Sequence, residues 1–317
     1  MVAAVLAEVF ESHRPHLLSV AYRLTGSVGD AEDAVQESWL RLAGAHQSEI
    51  DDPRAWLTTV VSRICLDHLR SAAVRRERYV GQWLPEPVVT PFGPSSTIDP
   101  LEAVVRKQEC SLAAMVLLDT LTPPQRVAFV LHEGLSVPFD EIADILGISA
   151  AAARQLATRA RKAVAHTPQP VPSTEHEDVV RRFLTALLTG DVQAVTAVLH
   201  PDSVLIGDAN GTTSTAVNVL HGPDHIARFL LGLARKYGIR TVDSDASDDL
   251  AAAVGDTIDF DFVSVNGRLG VLVRARGERE GRPGFAPRVF AFTVRDGSIV
   301  GAYDIANPAK LRGVRLG

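Results

Sequence analysis

FDEIADILGISAAAARQLAT, residues 139–158, has the pattern of two short helices joined by a tight turn. Gly147 interrupts the first apolar periodicity, and Ser149 has the residue type and position of a helix N-cap. Four alanines then open a second helix that presents Arg154 and Gln155. Small residues let such a helix enter a major groove, where arginine pairs with guanine and glutamine with adenine. The stretch therefore predicts a helix-turn-helix; an ordinary hairpin of packed helices is the alternative.

The charge around this stretch favours DNA reading. From Ile145 to Lys162 the sequence has four cations and no acid, although the whole chain carries a formal net charge of −6. Phosphate affinity comes from clustered lysine and arginine, so an acidic chain is not expected to bind nucleic acid tightly by itself. A local basic surface in an acidic protein indicates a DNA reader that depends on another protein.

Two proline-rich stretches divide the 317 residues into three blocks. Proline fixes φ and lacks an N–H donor, so neither stretch is expected to form continuous helix or an inner strand. The predicted domains are residues 1–80, 100–165 and 175–317, joined by linkers over 81–99 and 166–174. Apolar spacings of three and four predict that the first two blocks are all-helical. The third changes from helices to alternating strands with glycine turns, which predicts an α+β domain.

Local signals set the ends of several elements. Asp52-Pro53, Asp99-Pro100 and Thr122-Pro123 each combine an N-cap residue with proline at the first helical position. Gly134 is the expected stop of the helix that follows Thr122. In the third block the predicted helices are 175–189 and 191–199, the strands are 203–207, 256–265, 270–276, 288–295 and 298–304, and hairpin turns fall at Asn266-Gly267 and Asp296-Gly297.

Two further stretches near the N-terminus carry patterned charge. DAEDAVQESWLRL, residues 30–42, predicts an amphipathic helix with Asp33 and Glu37 four apart on its polar face. A solvated acidic face is the commoner role of such charges. The helix that starts at Pro53 carries a series of five arginines over residues 63–78, more than are needed to complement the negative end of a helix dipole. Phosphate contact is therefore favoured for this series, which consists of Arg63, Arg70, Arg75, Arg76 and Arg78.

DAEDAVQESWLRL, then PRAWLTTVVSRICLDHLR from Pro53, then residues 139–158 together resemble the extracytoplasmic-function sigma factors, in order and at appropriate spacing. The resemblance implies two all-helical sigma domains, region 2 and region 4. These would bind the β′ clamp helices and β flap of core RNA polymerase, and promoter DNA at its −10 and −35 elements. A loop at 46–52 would capture a flipped base of the melted −10 strand.

The resemblance assigns individual residues to these surfaces. For binding to core polymerase it implies Asp33, Ala34, Val35, Gln36 and Glu37. For the −10 element it implies Arg54, Arg63, Arg70, Arg75 and Arg76. For the −35 element it implies Ser149, Ala152, Arg154, Gln155 and Arg159.

WLPEP at 83–87 and NPAKL at 307–311 resemble signatures of the sigma factors that carry a fused C-terminal SnoaL-like domain, a cone-shaped α+β fold. An Asp-Gly-Gly-Gly stretch of that group is Asp208-Ala209-Asn210-Gly211 here, and the usual acid of the last motif is Ala309. The group implies an intramolecular contact through which the fused domain regulates the sigma domains. The residues implied are Trp83, Leu84, Pro85, Glu86, Pro87, Asp208, Asn307, Pro308, Lys310 and Leu311.

The linker itself supports such a contact. Trp83 and Leu84 are large apolar side chains in a segment with no core of its own, so they need a surface to cover them. The third domain is the nearest candidate. We also expect Lys310 to pair with Glu86, although an exposed pair would add little stability.

Catalysis by the third domain is the weaker expectation, since its acids and histidines mostly suit turns, helix caps and solvated faces. The candidates are His200, Asp202, Asp208, His221, Asp224, His225, Asp259 and Asp261. Two other classes stay open: a ligand-responsive helix-turn-helix regulator that acts without polymerase, and a sigma factor with an enzymatically active third domain. The helix at 30–42 and the arginine series favour the sigma factor, because a simple repressor needs neither.

The cysteine content and the apolar runs of the sequence indicate the cellular compartment of the protein. Cys65 and Cys110 lie far apart without partners at metal spacing, so two buried thiols in a reducing compartment are expected. No apolar run approaches the length of a bilayer span, and no charged start precedes an apolar segment. We therefore expect a cytoplasmic protein without membrane contact, cofactor, metal site or catalytic residue. The promoter, the inducing signal and any ligand of the third domain are not encoded in a readable pattern.

Overall fold

A computed structural model describes residues 2–46, 50–76, 79–93, 111–165, 170–239, 258–278 and 283–314. The chain divides into two compact units. One contains residues 1–78 and 114–167, and the other contains residues 79–96, 111–113 and 168–317. The proline-rich linker between the two helical blocks thus belongs to the C-terminal unit.

The first half of the described chain is helical, as predicted. Its helices are α1 (Val2–Thr25), α2 (Val28–Ala43), α3 (Pro53–Arg76), α4 (Leu112–Leu118), α5 (Pro123–Leu135), α6 (Phe139–Leu146) and α7 (Ala150–Val164). Helices α1, α2 and α3 pack against one another, and α5, α6 and α7 form a second bundle. In the N-terminal unit α5 also packs on α1 and α3, which joins the two bundles.

Local capping chemistry sets the starts of these helices. The Asp52 carboxylate accepts the N–H groups of Arg54 and Ala55 at 2.9 and 3.1 Å, which confirms the predicted cap. Helix α2 begins two residues before the predicted opening at Asp30, because the Ser27 hydroxyl accepts the Asp30 N–H at 3.2 Å. The predicted start at Asp99-Pro100 lies outside the described residues.

The end of α5 differs from the prediction. Helix α5 opens with the expected capping box between Thr122 and Gln125. It then continues through Gly134 and stops at Ser136, whose φ of 56° is left-handed. A Cβ at Gly134 would lie 2.7 Å from Arg23 Nη1, the end of a flexible side chain. The expected stop at Gly134 is therefore wrong.

The C-terminal unit is α+β, as predicted. Its helices are α8 (Ser173–Thr189), α9 (Val192–Val198) and α10 (Pro223–Tyr237). Its strands are β1 (Val89–Pro91), β2 (Leu199–Asp208), β3 (Leu220–His221), β4 (Phe260–Val265), β5 (Arg268–Val273), β6 (Arg288–Arg295) and β7 (Ser298–Ile305). They form one sheet in the order β1-β4-β5-β6-β7-β2-β3, antiparallel except for the parallel β2–β7 pair.

Most of the predicted strands are present with shifted ends. Asn266-Gly267 and Asp296-Gly297 have positive φ at both residues, as the predicted two-residue hairpin turns require. Strand β2 begins at Leu199 rather than Ser203. The predicted turn at His200-Pro201-Asp202 is instead part of β2, where the register with β7 shifts between Leu199 and Val204. Helices α8 and α10 pack on the sheet and share one apolar core with it.

A buried arginine links α5 to α1. Only 1% of the Arg126 surface is exposed. Its Nε donates to the Arg23 carbonyl oxygen at 3.0 Å, and its Nη1 donates to Asp119 Oδ1 at 3.1 Å. A buried guanidinium needs such acceptors, because burying a charge without partners is costly.

We expect Arg126→Met to lower the free energy of unfolding of the N-terminal unit by about 2–3 kcal/mol, since two charge-assisted hydrogen bonds are lost. Urea denaturation followed by circular dichroism measures this change. Arg161→Met is the matched control: the ion pair of Arg161 with Glu133 is exposed and contributes less than about 1 kcal/mol. Equal effects of the two substitutions would show that Arg126 does not stabilise the unit.

Candidate functional sites

The helix-turn-helix of residues 139–158 is built as predicted. Gly147 caps α6 with a φ of 67°, a conformation that glycine adopts without strain. The Ser149 hydroxyl then accepts the Ala152 N–H at 3.2 Å and starts α7. Ser149, which the resemblance assigns to the −35 surface, therefore also caps α7. Ala153 and the alanines one and two turns later are buried, so α7 lies close to its neighbours.

The outer face of α7 carries the exposed polar side chains of the motif. Arg154, Gln155 and Arg159 are exposed, whereas Ala152 is half-buried. The Arg154 guanidinium lies over the Phe139 ring, 5.1 Å from its centroid. Such a contact pre-orients a long side chain while its donors stay accessible. The exposed surface of α7 therefore combines amide and guanidinium donors on one face.

Helix α2 places its acidic residues as predicted. Asp33 and Gln36 are exposed, and Glu37 forms an ion pair with Arg41 one turn away. Ala34 and Val35 are buried at 0% and 1% exposure. Both side chains face the helical core, and their assignment to polymerase binding stays a prediction.

An apolar groove lies beside these acids and was missed in the sequence. Leu40 is 69% exposed, and Trp39 packs on Phe10 with ring centroids 5.1 Å apart. Together with Val35 and Gln36 these side chains line a surface groove between α1 and α2. Leu40 is displaced by one residue from the apolar stripe of α2. A single exposed leucine is ordinary on a protein surface, so the sequence contains no clear signal for the groove.

The arginines of α3 do not share one face. Arg63 and Arg70 are exposed and two turns apart, but Arg54 points about half a turn away, since nine residues at 3.6 per turn make two and a half turns. Arg63 donates to the Asp144 carbonyl oxygen in α6 at 2.9 Å. Arg75 and Arg76 end the helix. Arg78 and residues 47–49 of the loop predicted to capture a base lie outside the described residues.

The linker motif at residues 83–87 lies on the C-terminal unit, around one carboxylate. Asp208 is 0% exposed and ends β2. Its oxygens accept hydrogen bonds from the Tyr79 hydroxyl and, at 2.7 Å, from the Leu84 backbone N–H. Lys310 completes the shell with an ion pair to Asp208 and a hydrogen bond to the Leu84 carbonyl oxygen. We call Tyr79, Leu84, Asp208, Asn307 and Lys310 the linker anchor.

Apolar packing surrounds the linker anchor. Leu84 is 0% exposed, and the Trp83 ring lies against the Lys310 ammonium, 4.0 Å from centroid to nitrogen. Pro85, Pro87 and Leu311 are buried, Glu86 is half-buried, and Pro308 is exposed. The Asn307 amide donates to the Tyr79 hydroxyl at 2.6 Å. Lys310 pairs with the buried Asp208, and its expected pairing with Glu86 stays a prediction.

The linker also extends the sheet. Val89–Pro91 forms strand β1 and pairs antiparallel with β4, from Val89 opposite Val265 to Pro91 opposite Val263. The Val88 N–H donates to Asn266 Oδ1 at 3.0 Å, and the Asn266 N–H donates to the Val88 carbonyl at 2.8 Å. Proline is tolerated because β1 is an edge strand.

The two departures from the family pattern are accommodated here. Asn210 replaces a glycine and adopts a φ of 46°, a left-handed conformation that asparagine tolerates better than most residues. Its side-chain oxygen accepts the Val80 N–H at 3.2 Å, which adds a linker contact. Ala309 is exposed, so the missing acid leaves no buried group unpaired.

The acids and histidines considered for catalysis do not converge on one site. Asp259 and Asp261 both pair with Arg274, and Asp202 pairs with Arg295 beside His200. His225 bonds the carbonyl of His221, Asp224 lies in the first turn of α10, and Asp208 belongs to the linker anchor.

Within the described ranges, no group of three or more His, Cys, Asp or Glu side chains has the arrangement of a metal site. No helix in this part of the chain is long and apolar enough to cross a membrane.

Comparison with known proteins gives three family matches in order along the chain. Sigma-70 region 2 matches residues 9–75, sigma-70 region 4 matches residues 111–164, and a SnoaL-like domain matches residues 180–302. These matches agree with the helical and α+β parts of the fold.

Relatives cover nearly the whole chain. ECF RNA polymerase sigma factor SigJ of Mycobacterium tuberculosis is 51% identical over 97% of this chain and 93% of its own length. Probable ECF RNA polymerase sigma factor SigI of the same species is 38% identical over 62% of this chain and 67% of its own length. The crystal structure of the M. tuberculosis factor SigJ superposes with a TM-score of 0.79 at 47% identity, covering 98% of this chain and all of that one. The chain therefore belongs to the extracytoplasmic-function RNA polymerase sigma factors, as an alternative sigma factor with a fused SnoaL-like domain.

Proposed function

We propose that this sigma factor acts through three surfaces, for core polymerase, the −10 element and the −35 element. Its fused domain controls the two promoter surfaces through the linker. The exposed acids and the apolar groove of α2 bind core polymerase, α7 reads the −35 element, and exposed arginines of α3 contact the −10 strand. The linker anchor carries the regulatory part of the proposal. It fixes on the C-terminal unit the same segment that connects the −10 and −35 modules.

The anchored linker affects how the −10 and −35 modules can be arranged, because it connects them covalently. The chain leaves α3 at Arg76 and reaches α4 at Leu112, so the linker limits how far the two modules can separate. A linker of this length would be long and flexible if free. Residues 79–91 are instead held on the C-terminal unit by a buried ion pair and a β-ladder. The fused domain thereby biases the equilibrium between arrangements of the two modules.

The fused domain acts as a regulator rather than an enzyme in this proposal. Asp202, Asp259 and Asp261 form ion pairs with arginines, and each of the candidate acids and histidines is absent from the walls of its apolar cavity within the described residues. A convergent acid–base pair next to a cavity is what catalysis would need. We place the protein in the cytoplasm with its polymerase and promoter.

Charge reversal on α2 tests the polymerase surface. Asp33→Arg with Glu37→Arg should raise the Kd for core polymerase at least about hundredfold, because like charges would then face the basic clamp helices. The fold should persist, since Asp33 is exposed and Glu37 is partly exposed. Glu177→Arg with Asp178→Arg on α8 is the control with the same change in charge. Equal core binding by both double variants would remove α2 from the interface.

Two arginines of α7 separate base reading from phosphate contact. Arg154→Ala should cost about 1–3 kcal/mol and relax specificity at one −35 position, whereas Arg159→Ala should weaken all sequences alike and reduce the salt dependence. Holoenzyme binding to a panel of single-position promoter variants at several salt concentrations measures both. A uniform loss for Arg154→Ala would identify it as a phosphate contact.

Removing the carboxylate of the linker anchor tests the regulatory surface. Asp208→Ala should destabilise the C-terminal unit by about 3–5 kcal/mol, because Lys310 would stay buried without its counter-charge. Proteolysis within residues 79–93 should accelerate. Asp259→Ala is the control, since its pair with Arg274 is exposed and contributes less than about 1 kcal/mol.

The functional consequence is measured by run-off transcription. Deleting residues 175–317 should change promoter output, and Trp83→Ala, which removes the ring against Lys310, should change it in the same direction by less. The full-length and truncated proteins must be compared at equal occupancy of core polymerase. Equal transcription by the two would refute control by the fused domain.

A further inference from the structure

The C-terminal unit contains a cavity of about 140 Å³ between the sheet and helices α8 and α10. Phe183 and Leu187 of α8, Leu233 and Ala234 of α10, and Phe292 and Ala302 of the sheet contribute to its walls. Cores pack with few voids larger than a water molecule, so a space of this size needs an explanation. A dry cavity of about 150 Å³ lined by leucine, isoleucine and phenylalanine is large enough to bind benzene.

The chemistry of the walls restricts the charge of an occupant. Arg288 is the one ionised side chain among the described residues of the lining. Its guanidinium is already matched, because Nη1 donates to Asp304 at 3.0 Å and Nη2 donates to the Ser214 carbonyl oxygen at 3.1 Å. An anion placed here would lose its hydration and compete with Asp304 for a buried cation. The walls therefore favour a neutral molecule.

Ring geometry favours an aromatic occupant. Phe183 and Phe292 meet edge to face with centroids 5.6 Å apart, and Tyr237 and Phe285 do the same at 5.2 Å. Aromatic pairs prefer such tilted contacts, so a further ring can add edge-to-face partners that a saturated ring cannot.

A buried polar atom lies beside Arg288, the charged residue of the cavity lining. Asp304 Oδ2 accepts from Thr215 at 2.7 Å and from Arg288, but Oδ1 is buried without a hydrogen-bond partner among the described residues. Asp304 lies two residues after Ala302 on β7 and therefore on the same face of the sheet. Burial raises the pKa of this carboxyl, while Arg288 and Thr215 act in the opposite direction. A single hydroxyl on the occupant could satisfy the remaining oxygen.

We propose that this cavity binds a small, neutral, single-ring aromatic molecule that carries at most one hydroxyl group. The site is separate from the surfaces for polymerase and promoter and does not depend on their assignment. Its walls supply dispersion contacts and ring edges, and the Asp304–Arg288 pair supplies the polar end.

Ligand-observed saturation-transfer NMR on the full-length protein tests this proposal with four probes. Toluene and phenol should receive saturation and raise the melting temperature. Cyclohexanol, the saturated counterpart of phenol, should bind more weakly, and benzoate should bind least. The proposal is overturned if neither aromatic probe binds. It is also overturned if cyclohexanol or benzoate binds as tightly as phenol.

Filling the cavity locates the binding. Ala234→Leu should weaken phenol binding at least about tenfold, which corresponds to about 1.4 kcal/mol. Ala194→Leu is the control, since Ala194 also packs on the core but does not line the cavity. Leu187→Trp, on the opposite wall, provides a second filling variant if Ala234→Leu does not fold. Unchanged phenol binding by a folded filling variant would place the probe elsewhere and overturn the assignment.

Discussion

The buried carboxylate of Asp208 is the constraint on which the C-terminal unit and its linker depend. A carboxylate without solvent contact requires hydrogen-bond donors and a counter-charge. Tyr79 and the Leu84 N–H supply donors from the linker, and Lys310 supplies the charge from the other end of the chain. If the linker detached, the Asp208–Lys310 ion pair would lose the hydrogen bonds that Tyr79 and the Leu84 N–H donate to Asp208. Order of the linker is thereby tied to the fold of the fused domain.

The same end of the sheet holds a second buried acid. Gly207 and Asp208 of β2 pair with Asp304 and Ile305 of β7, so the two acids lie on adjacent parallel strands. Asp208 serves the linker, whereas Asp304 pairs with Arg288 at the cavity. Packed strands do not deform continuously, so a change at one acid is expected to reach the other through this strand pair. The geometry offers a short physical route between the cavity and the linker.

The local features of this fold were predictable from the sequence, and the resemblance placed Asp208 and Lys310 in one contact without pairing them. Ser149, Asp52 and the Asn266-Gly267 turn act within a few residues of themselves, so their patterns are readable. Lys310 pairs with a residue 102 positions away, and its distance from Leu84 along the chain is 226 positions. Asp208 is one of 38 acids, and no local pattern marks it as the partner of Lys310; only the resemblance placed both residues in one contact. Strand β1 was missed for the same reason, because its three residues form an edge only against β4.

Two arginine contacts within the N-terminal unit, those of Arg63 and Arg126, differ in the free energy that breaking them costs. Arg63 is exposed, so its bond to the Asp144 carbonyl can be replaced by a phosphate contact at little loss. Arg126 is buried between α5 and α1, and separating these helices would expose its acceptors and its charge together. Under the proposed assignment, α3 and α7 contact different promoter elements, which favours an arrangement with the −10 and −35 modules apart. The energy for that separation must come from core polymerase and DNA, since the modules alone gain nothing from losing the Arg126 contact. Specific initiation is then coupled to assembly, because the arrangement that reads both elements is favoured only when polymerase supplies the compensating contacts.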